Sequence, residues 1–430
     1  MMQKDTDRPK VLILTLNSSY PLTHGGAIGQ YYVIDGLKDR VDFVYCTIVR
    51  TKKALEDLRL FQRAQPTVRI YYDTAWERSG LRRIKSMVKF CYRSVKLLLL
   101  RLLRGEIFKK HDREYHLKDD FLNEGINSIN TPIDAQYIQL IDRVIKDENI
   151  KQVQMDFFET MCVVFMLPPD IKKIFMCHEL RYERLQMGFA DSLLPAPYKN
   201  LLIERMRFYE EALIRKMDCV ITLNEDETQK LEKINNNVRH INNAIPDELI
   251  YKKEASKTFT RLVFVAGEDH MPNAHGLQWF LDAVYVPNWK EIPFSLNIIG
   301  KWSKQFRKKY AKYKQIVFCG FVDSLEPYYE NAILISPILI GAGIRMKILH
   351  AMANKIPVFT TRFGATGCYT EKENAHLAFF DSPEEFVRGI NAVDNAFLEN
   401  LALAGNAYYN TAFNKEILLQ KRMEVYLAPL

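Results

Sequence analysis

Residues 333–358 read Ile333-Leu334-Ile335-Ser336-Pro337-Ile338-Leu339-Ile340-Gly341-Ala342-Gly343-Ile344-Arg345-Met346-Lys347-Ile348-Leu349-His350-Ala351-Met352-Ala353-Asn354-Lys355-Ile356-Pro357-Val358. The spacing predicts a buried strand that ends in a glycine turn, with a helix opening at once and carrying Arg345 and Lys347 in its first turn. Cations at a helix start oppose its dipole. A bound anion resolves that conflict, and a diphosphate needs such cations together with free backbone amides. The alternative is an exposed basic helix start with no ligand.

Working outward, the same strand-then-helix unit recurs along the whole chain. Strands are expected at Lys10–Leu16, Asp42–Val49, Val68–Asp73, Lys151–Phe157, Lys172–His178, Cys219–Leu223 and Val238–Ile241. A second series is expected at Arg261–Ala266, Phe294–Ile299, Ile316–Phe321, Ala332–Pro337, Pro357–Thr361 and His376–Phe380. Several are almost continuously apolar, as in Val11-Leu12-Ile13-Leu14, which suits strands covered on both faces. The alternation implies an α/β chain with two Rossmann-like, doubly wound parallel sheets that face a cleft, ligands binding beyond the strand C-termini. A polar stretch after Asn242-Asn243-Ala244 separates the two series, so the expected domains are 1–247 and 248–413. The segment Asn414–Tyr426 has helical spacing in Ile417, Leu418, Met423 and Val425, and a helix over about 414–430 is expected to pack back across the interface.

A second phosphate-friendly turn follows the first strand. After Asn17 the chain reads on through Thr23-His24-Gly25-Gly26-Ala27, with a helix expected from about Gly29. Adjacent glycines let backbone approach a ligand, although a tight strand–helix turn needs the same residues. A third turn, Arg362-Phe363-Gly364-Ala365-Thr366-Gly367, offers further N–H groups. Other chemistries fit poorly. His178-Glu179 lacks the second histidine of a zinc-protease helix, no Cys-x-x-Cys is present, Gly341-Ala342-Gly343 lacks the third glycine of a dinucleotide fingerprint, and no Walker-type Gly-Lys-Ser/Thr occurs. Glu225-Asp226-Glu227 is read as an acidic helix start rather than a metal motif.

The 430 residues are 48% hydrophobic and 26% charged, the balance of a globular protein with two cores. A polar N-terminus without an apolar signal stretch, and seven cysteines without paired spacing, are read as a cytoplasmic protein with reduced thiols. The net charge is +8, but it is concentrated. Residues 79–104 contain eight basic residues (82, 83, 85, 89, 93, 96, 101 and 104) and no acidic one, so a general nucleic-acid footprint is not expected. On a helical wheel Arg82, Lys85, Lys89, Arg93 and Lys96 form a stripe opposite Ile84, Val88, Val95, Leu98 and Leu102. That pattern suits a helix lying on an anionic membrane surface, on the inner face of the plasma membrane for a cytoplasmic protein. It suits equally a solvated helix whose leucines pack on the first domain.

The order Gly341-Ala342-Gly343-Ile344-Arg345-Met346-Lys347, then Phe363-Gly364-Ala365-Thr366-Gly367, then Asp381-Ser382-Pro383-Glu384-Glu385-Phe386 resembles the donor half of the retaining glycosyltransferases of family 4. Phe264–Asn273 is similar to that half's first strand and turn, and Ile316–Val322 to the strand flanking the nucleotide base. In the first half, Phe175–Glu179, Cys219–Glu225 and His240–Pro246 fit in order. The resemblance implies a GT-B fold, a UDP- or GDP-linked sugar as donor substrate, retention at the anomeric carbon, and no metal or other cofactor. It places Gly25 and Gly26 under the donor phosphates, and Arg345 and Lys347 on the diphosphate as catalytic cations. His178 would touch the transferred sugar or the leaving phosphate. Gly267, Phe321, Val322, Gly343, Gly364, Ala365 and Thr366 would complete the donor site. The acceptor would be a glycan or lipid-linked, in surface polysaccharide or glycoconjugate synthesis.

One departure stands out. Two glutamates eight positions apart are usual in that family, and here those positions hold Ala342 and His350. His350 is expected to reach a ribose hydroxyl in place of the second. Two other functions remain open: a GT-B-shaped scaffold that has lost catalysis, and a nucleotide-sugar epimerase.

Overall fold

The computed structural model describes residues 8–16, 18–74, 133–189, 192, 194–251, 253–341 and 343–430. The basic stripe of Arg82, Lys85, Lys89, Arg93 and Lys96 lies outside the described residues, as does Ala342.

In the first half the order is β1 (Lys10–Leu14), α1 (Gly25–Leu37), β2 (Asp42–Val49), α2 (Lys52–Ala64), β3 (Arg69–Thr74), α3 (Ala135–Asp147) and β4 (Gln152–Asp156). There follow β5 (Lys172–Met176), α4 (Arg181–Gly188), α5 (Ala196–Ile214), β6 (Cys219–Thr222), α6 (Glu225–Leu231) and β7 (Val238–His240). The second half runs β8 (Arg261–Val265), α7 (Met271–Trp279), β9 (Ser295–Ile299), α8 (Lys304–Tyr310), β10 (Ile316–Gly320), α9 (Glu326–Tyr329) and β11 (Ala332–Ser336). It ends with α10 (Met346–Ala353), β12 (Val358–Thr360), β13 (Ala378–Phe379), α11 (Pro383–Ala392), α12 (Asn395–Ala412) and α13 (Lys415–Leu427).

Each expected strand forms: Asp42–Val49 keeps its expected bounds, Val68–Asp73 shifts by one residue to Arg69–Thr74, and the others are trimmed by one to three residues. They assemble into a seven-stranded sheet ordered β3-β2-β1-β4-β5-β6-β7 and a six-stranded sheet ordered β10-β9-β8-β11-β12-β13. Neighbours pair in parallel throughout, so each sheet needs crossover helices on its faces. The direction of winding reverses between β1 and β4 in one sheet and between β8 and β11 in the other. Those are the points where doubly wound sheets leave a crevice for ligands.

The helix at the C-terminus packs on the first sheet. Leu418, Leu419, Met423, Val425 and Tyr426 are buried, each contributing roughly 1.5–3 kcal/mol of apolar burial. Leu419 Cδ1 lies so near Gly36 that a Cβ there would come within 2.5 Å. The Lys172 ammonium donates to the carbonyls of Val425 and Ala428 at 2.5 and 2.6 Å, capping the end of α13. Tyr426 donates to Gln154 Oε1 at 2.6 Å, and Gln154 donates in turn to Asp156 Oδ1 at 3.1 Å. Asp156 also accepts from Gln30, whose Oε1 accepts from Ser19 in the β1–α1 loop. This buried chain ties the last helix to the first loop. Burial pushes the Asp156 carboxyl up to about 6.

Candidate active site

The loops at the two crevices meet. Helix α1 starts at Gly25, four residues before the expected position, because His24 acts as its N-cap: the His24 Nδ1 accepts from the Ala27 amide at 3.2 Å. Gly25 and Gly26 therefore form the first turn, where helical geometry leaves amides without intrahelical acceptors. A Cβ on Gly25 would lie 3.1 Å from Cγ of Met346, the first residue of α10. Two helix starts from opposite domains thus adjoin.

Arg345 is the N-cap of α10 and Lys347 its second residue. Both side chains are half-buried at this junction. The Arg345 guanidinium donates from Nη1 to the Gly343 carbonyl at 2.8 Å. The Lys347 ammonium donates to Asn273 Oδ1 at 2.8 Å and sits 4.9 Å above the Phe264 ring. Among the described residues no carboxylate pairs with Lys347 within 4 Å. Burial, and then the Arg345 charge, press its amine down to about 7. An anion bound here would relieve both effects. Asn273 was not singled out by the sequence; its place in α7 beside the winding reversal supplies the partner.

Gly341 and Gly343 take φ values of +117° and +73°, the left-handed conformation that glycine adopts without strain. The Gly341 amide approaches Met187 Sδ of the first domain at 3.3 Å. Gly343 lies on the main-chain oxygen of His178, which a Cβ would approach to 2.5 Å. The His178 ring stacks on Phe157 at 4.2 Å and 12°. Its Nε2 is buried and makes no hydrogen bond among the described residues. Burial presses the imidazole down to about 4, so it is neutral near pH 7. Phe157, with φ of +69°, also presses on Gly26, where a Cβ would come 2.7 Å from Cζ. A non-glycine residue held at such φ marks a locally constrained backbone, and nothing in the pattern of the sequence foretold it.

At the far edge of the cleft Phe321 is half exposed, with the Lys301 ammonium 5.8 Å from its ring, and Val322 follows it. Gly267 lies in the loop after β8, where the adjacent Glu268 amide donates to the Lys301 carbonyl.

Two expectations are corrected. His350 is buried, its Nδ1 sharing a hydrogen bond with the Tyr329 hydroxyl and its Nε2 with the Leu249 carbonyl, both at 3.0 Å. Both ring nitrogens are engaged, so the residue anchors the chain between the two sheets rather than offering an atom to a ribose. The amides of Gly364, Ala365 and Thr366 are likewise consumed within their own turn, donating to Thr361 Oγ1, the Thr361 carbonyl and the Phe363 carbonyl. That turn packs the interface instead: Gly367 faces Asn224, the N-cap of α6.

Among the described residues no group of histidine, cysteine and carboxylate side chains is arranged to hold a metal ion, and no helix is long and apolar enough to cross a membrane.

Residues 260–394 match the family model "Glycosyl transferases group 1". An uncharacterized 44.6 kDa protein in the cps region of Klebsiella pneumoniae is 33% identical over 119 residues, which are 25% of this chain. The chain spans about a third of that relative's length, 31%. Sucrose-phosphate synthase from Thermosynechococcus elongatus superposes with a TM-score of 0.66 at 12% identity, covering 97% of this chain and 98% of that one. HepE from Anabaena, solved with UDP-glucose, gives 0.62 at 11% identity over 97% and 99%. WaaG, a glycosyltransferase involved in lipopolysaccharide biosynthesis, gives 0.56 at 12% identity over 97% and 100%. The chain is thus a two-domain α/β protein of the GT-B fold whose second half carries a group 1 glycosyl transferase domain.

Proposed function

We propose that this protein is a retaining glycosyltransferase of the family 4 type, transferring a sugar from a UDP- or GDP-linked donor to a glycan or lipid-linked acceptor without a metal ion. The observation that carries the reading is the pair of cations, Arg345 and Lys347, at a helix start that faces a second helix start across the cleft. In transfer, the acceptor hydroxyl oxygen bonds to the anomeric carbon while the bond from that carbon to the diphosphate breaks. The electron pair stays on the diphosphate and the hydroxyl proton passes to it. Charge grows on the leaving oxygen, and fixed cations in a dry site stabilise it without reorganising. His178, neutral and with Nε2 buried, is suited to donate to or accept from a sugar hydroxyl. Gly267, Phe321 and Val322 would flank the nucleoside. HepE, of the same fold, binds UDP-glucose, which favours UDP in this chain.

The acceptor would belong to the first domain, residues 1–247, and the donor to 248–413. The cps-region relative favours surface polysaccharide synthesis. The basic stripe of residues 82–96 would bring a cytoplasmic enzyme to an anionic membrane surface.

Nucleotide release from a panel of nucleotide sugars, with and without acceptor, tests the assignment. Release by the wild-type protein that Arg345→Ala abolishes is expected; an inert, non-binding wild type would refute it. A second reading, a GT-B protein that binds but does not turn over, draws on the engaged His350 nitrogens. It predicts tight nucleotide binding without release.

A further inference from the structure

A cavity of about 180 Å³ opens in the first domain, between the β1–α1 loop, the end of β2 and α2. Its polar wall carries Ser18, Thr23, His24, Thr47 and Asp57, and Tyr20 supplies an aromatic wall. His24 is shared with the proposed transfer site: it both lines the cavity and caps α1, whose first residue adjoins α10. A group bound here lies one residue from the junction of the two helix starts.

Size comes first. Drug-sized ligands occupy roughly 300–1,000 Å³, and a water takes about 30 Å³. The cavity holds one ring, not a nucleotide. Chemistry narrows it further. Hydroxyls, a carboxylate and an imidazole opposite an aromatic ring suit a pyranose, which shows a C–H face and a rim of hydroxyls. Charge decides the rest. Among the described residues no lysine or arginine lines the cavity. The nearest pairing for Asp57 is Lys53 at 3.7 Å, itself 74% exposed, a surface pair that does little to neutralise it. A phosphate or uronate entering the cavity would meet the Asp57 carboxylate, whose partner Lys53 stands outside the described lining.

We propose that this cavity is the acceptor subsite and takes a neutral, unphosphorylated sugar ring, with Asp57 accepting hydrogen bonds from its hydroxyls and excluding anionic acceptors. The inference rests on the transferase reading and adds the class of acceptor.

The test uses the full-length protein, the nucleotide sugar that it turns over, and two acceptor sets. One set is methyl glucoside, methyl galactoside and methyl N-acetylglucosaminide; the other is glucose 6-phosphate, glycerol phosphate and methyl glucuronide. The neutral set is expected to be used with kcat/KM at least about tenfold higher. Asp57→Asn is expected to raise KM for neutral acceptors and to shrink that preference by about tenfold, the scale of one lost discriminating contact. A merely structural role would lower both sets together. Thr47→Val provides a second lesion in the same wall, expected to raise KM for neutral acceptors, should Asp57→Asn fold poorly. Preference for the anionic set, or a preference unmoved by Asp57→Asn, would overturn the proposal. UDP binding and acceptor-free nucleotide release are measured alongside. Release without use of the methyl glycosides sinks this inference alone, whereas absence of both binding and release sinks the transferase reading with it.

Discussion

Gly343 of the second domain rests on the main-chain oxygen of His178 of the first, so closely that a Cβ would stand 2.5 Å from it. The contact joins the loop that positions Arg345 to the strand end that positions His178. It also explains why a left-handed glycine occupies that turn: both the φ of +73° and the lack of a side chain are required.

Gly343→Ala is therefore expected to separate the two domains at the site. The left-handed backbone costs about 1–2 kcal/mol, and the clash with a carbonyl cannot be relieved by a rotamer change. Gly320→Ala is the matched control, because its φ is +75° but nothing lies within 4 Å of the added methyl. Both variants should lose stability in urea titration, while only Gly343→Ala should lose about tenfold or more in kcat/KM.

Arg345→Ala and Lys347→Ala should each cost on the order of 2–4 kcal/mol of transition-state stabilisation, a loss of roughly 30- to 1,000-fold in kcat/KM. Steady-state kinetics on the preferred nucleotide sugar measure it. Wild-type turnover in either variant would remove the cations from the mechanism.

The Lys347 amine, pressed down to about 7, makes donor affinity depend on pH. A diphosphate prefers the ammonium, so UDP-glucose should bind most tightly below pH 7 and weaken by up to about tenfold per unit above it. Lys347→Met should flatten that slope. The difference between the two proteins is the readout, because burial also pushes Glu210 and Glu227 up to about 7 and 8. For folding, the unfolded chain holds the proton up to about 10.5 and the empty site releases it near 7. This group's penalty is thus complete below pH 7, and its contribution to stability improves as pH rises from 7 to 10.5.

His350→Ala should strip the Tyr329 hydroxyl of its buried partner and leave a void, costing about 1–3 kcal/mol before cavity effects. Chemical denaturation checks this. A selective loss of donor affinity with unchanged stability would restore a ribose-binding role.

The strands were legible because buried parallel strands read as nearly unbroken apolar runs, as in Val11–Leu14 and Ile333–Ile335. Their ends were less so: His376–Phe380 yields only Ala378–Phe379 at a sheet edge. The start of α1 was missed by four residues, since two glycines with poor helix propensity precede the apolar pattern and the cap is a histidine. In the site, the charges of Arg345 and Lys347 announced themselves by opposing a helix dipole. The duties of His350 and the Gly364–Thr366 amides did not, because hydrogen-bond partners 21 and 101 residues away, or hidden inside a turn, leave no local pattern. Phe157 and Asn273 were silent for the same reason.

Because α13 completes the core of the sheet that contains β1, that sheet cannot close until residues 415–427 have been synthesised. A cut between the two sheets would yield one fragment lacking its closing piece and another carrying an orphaned, greasy tail.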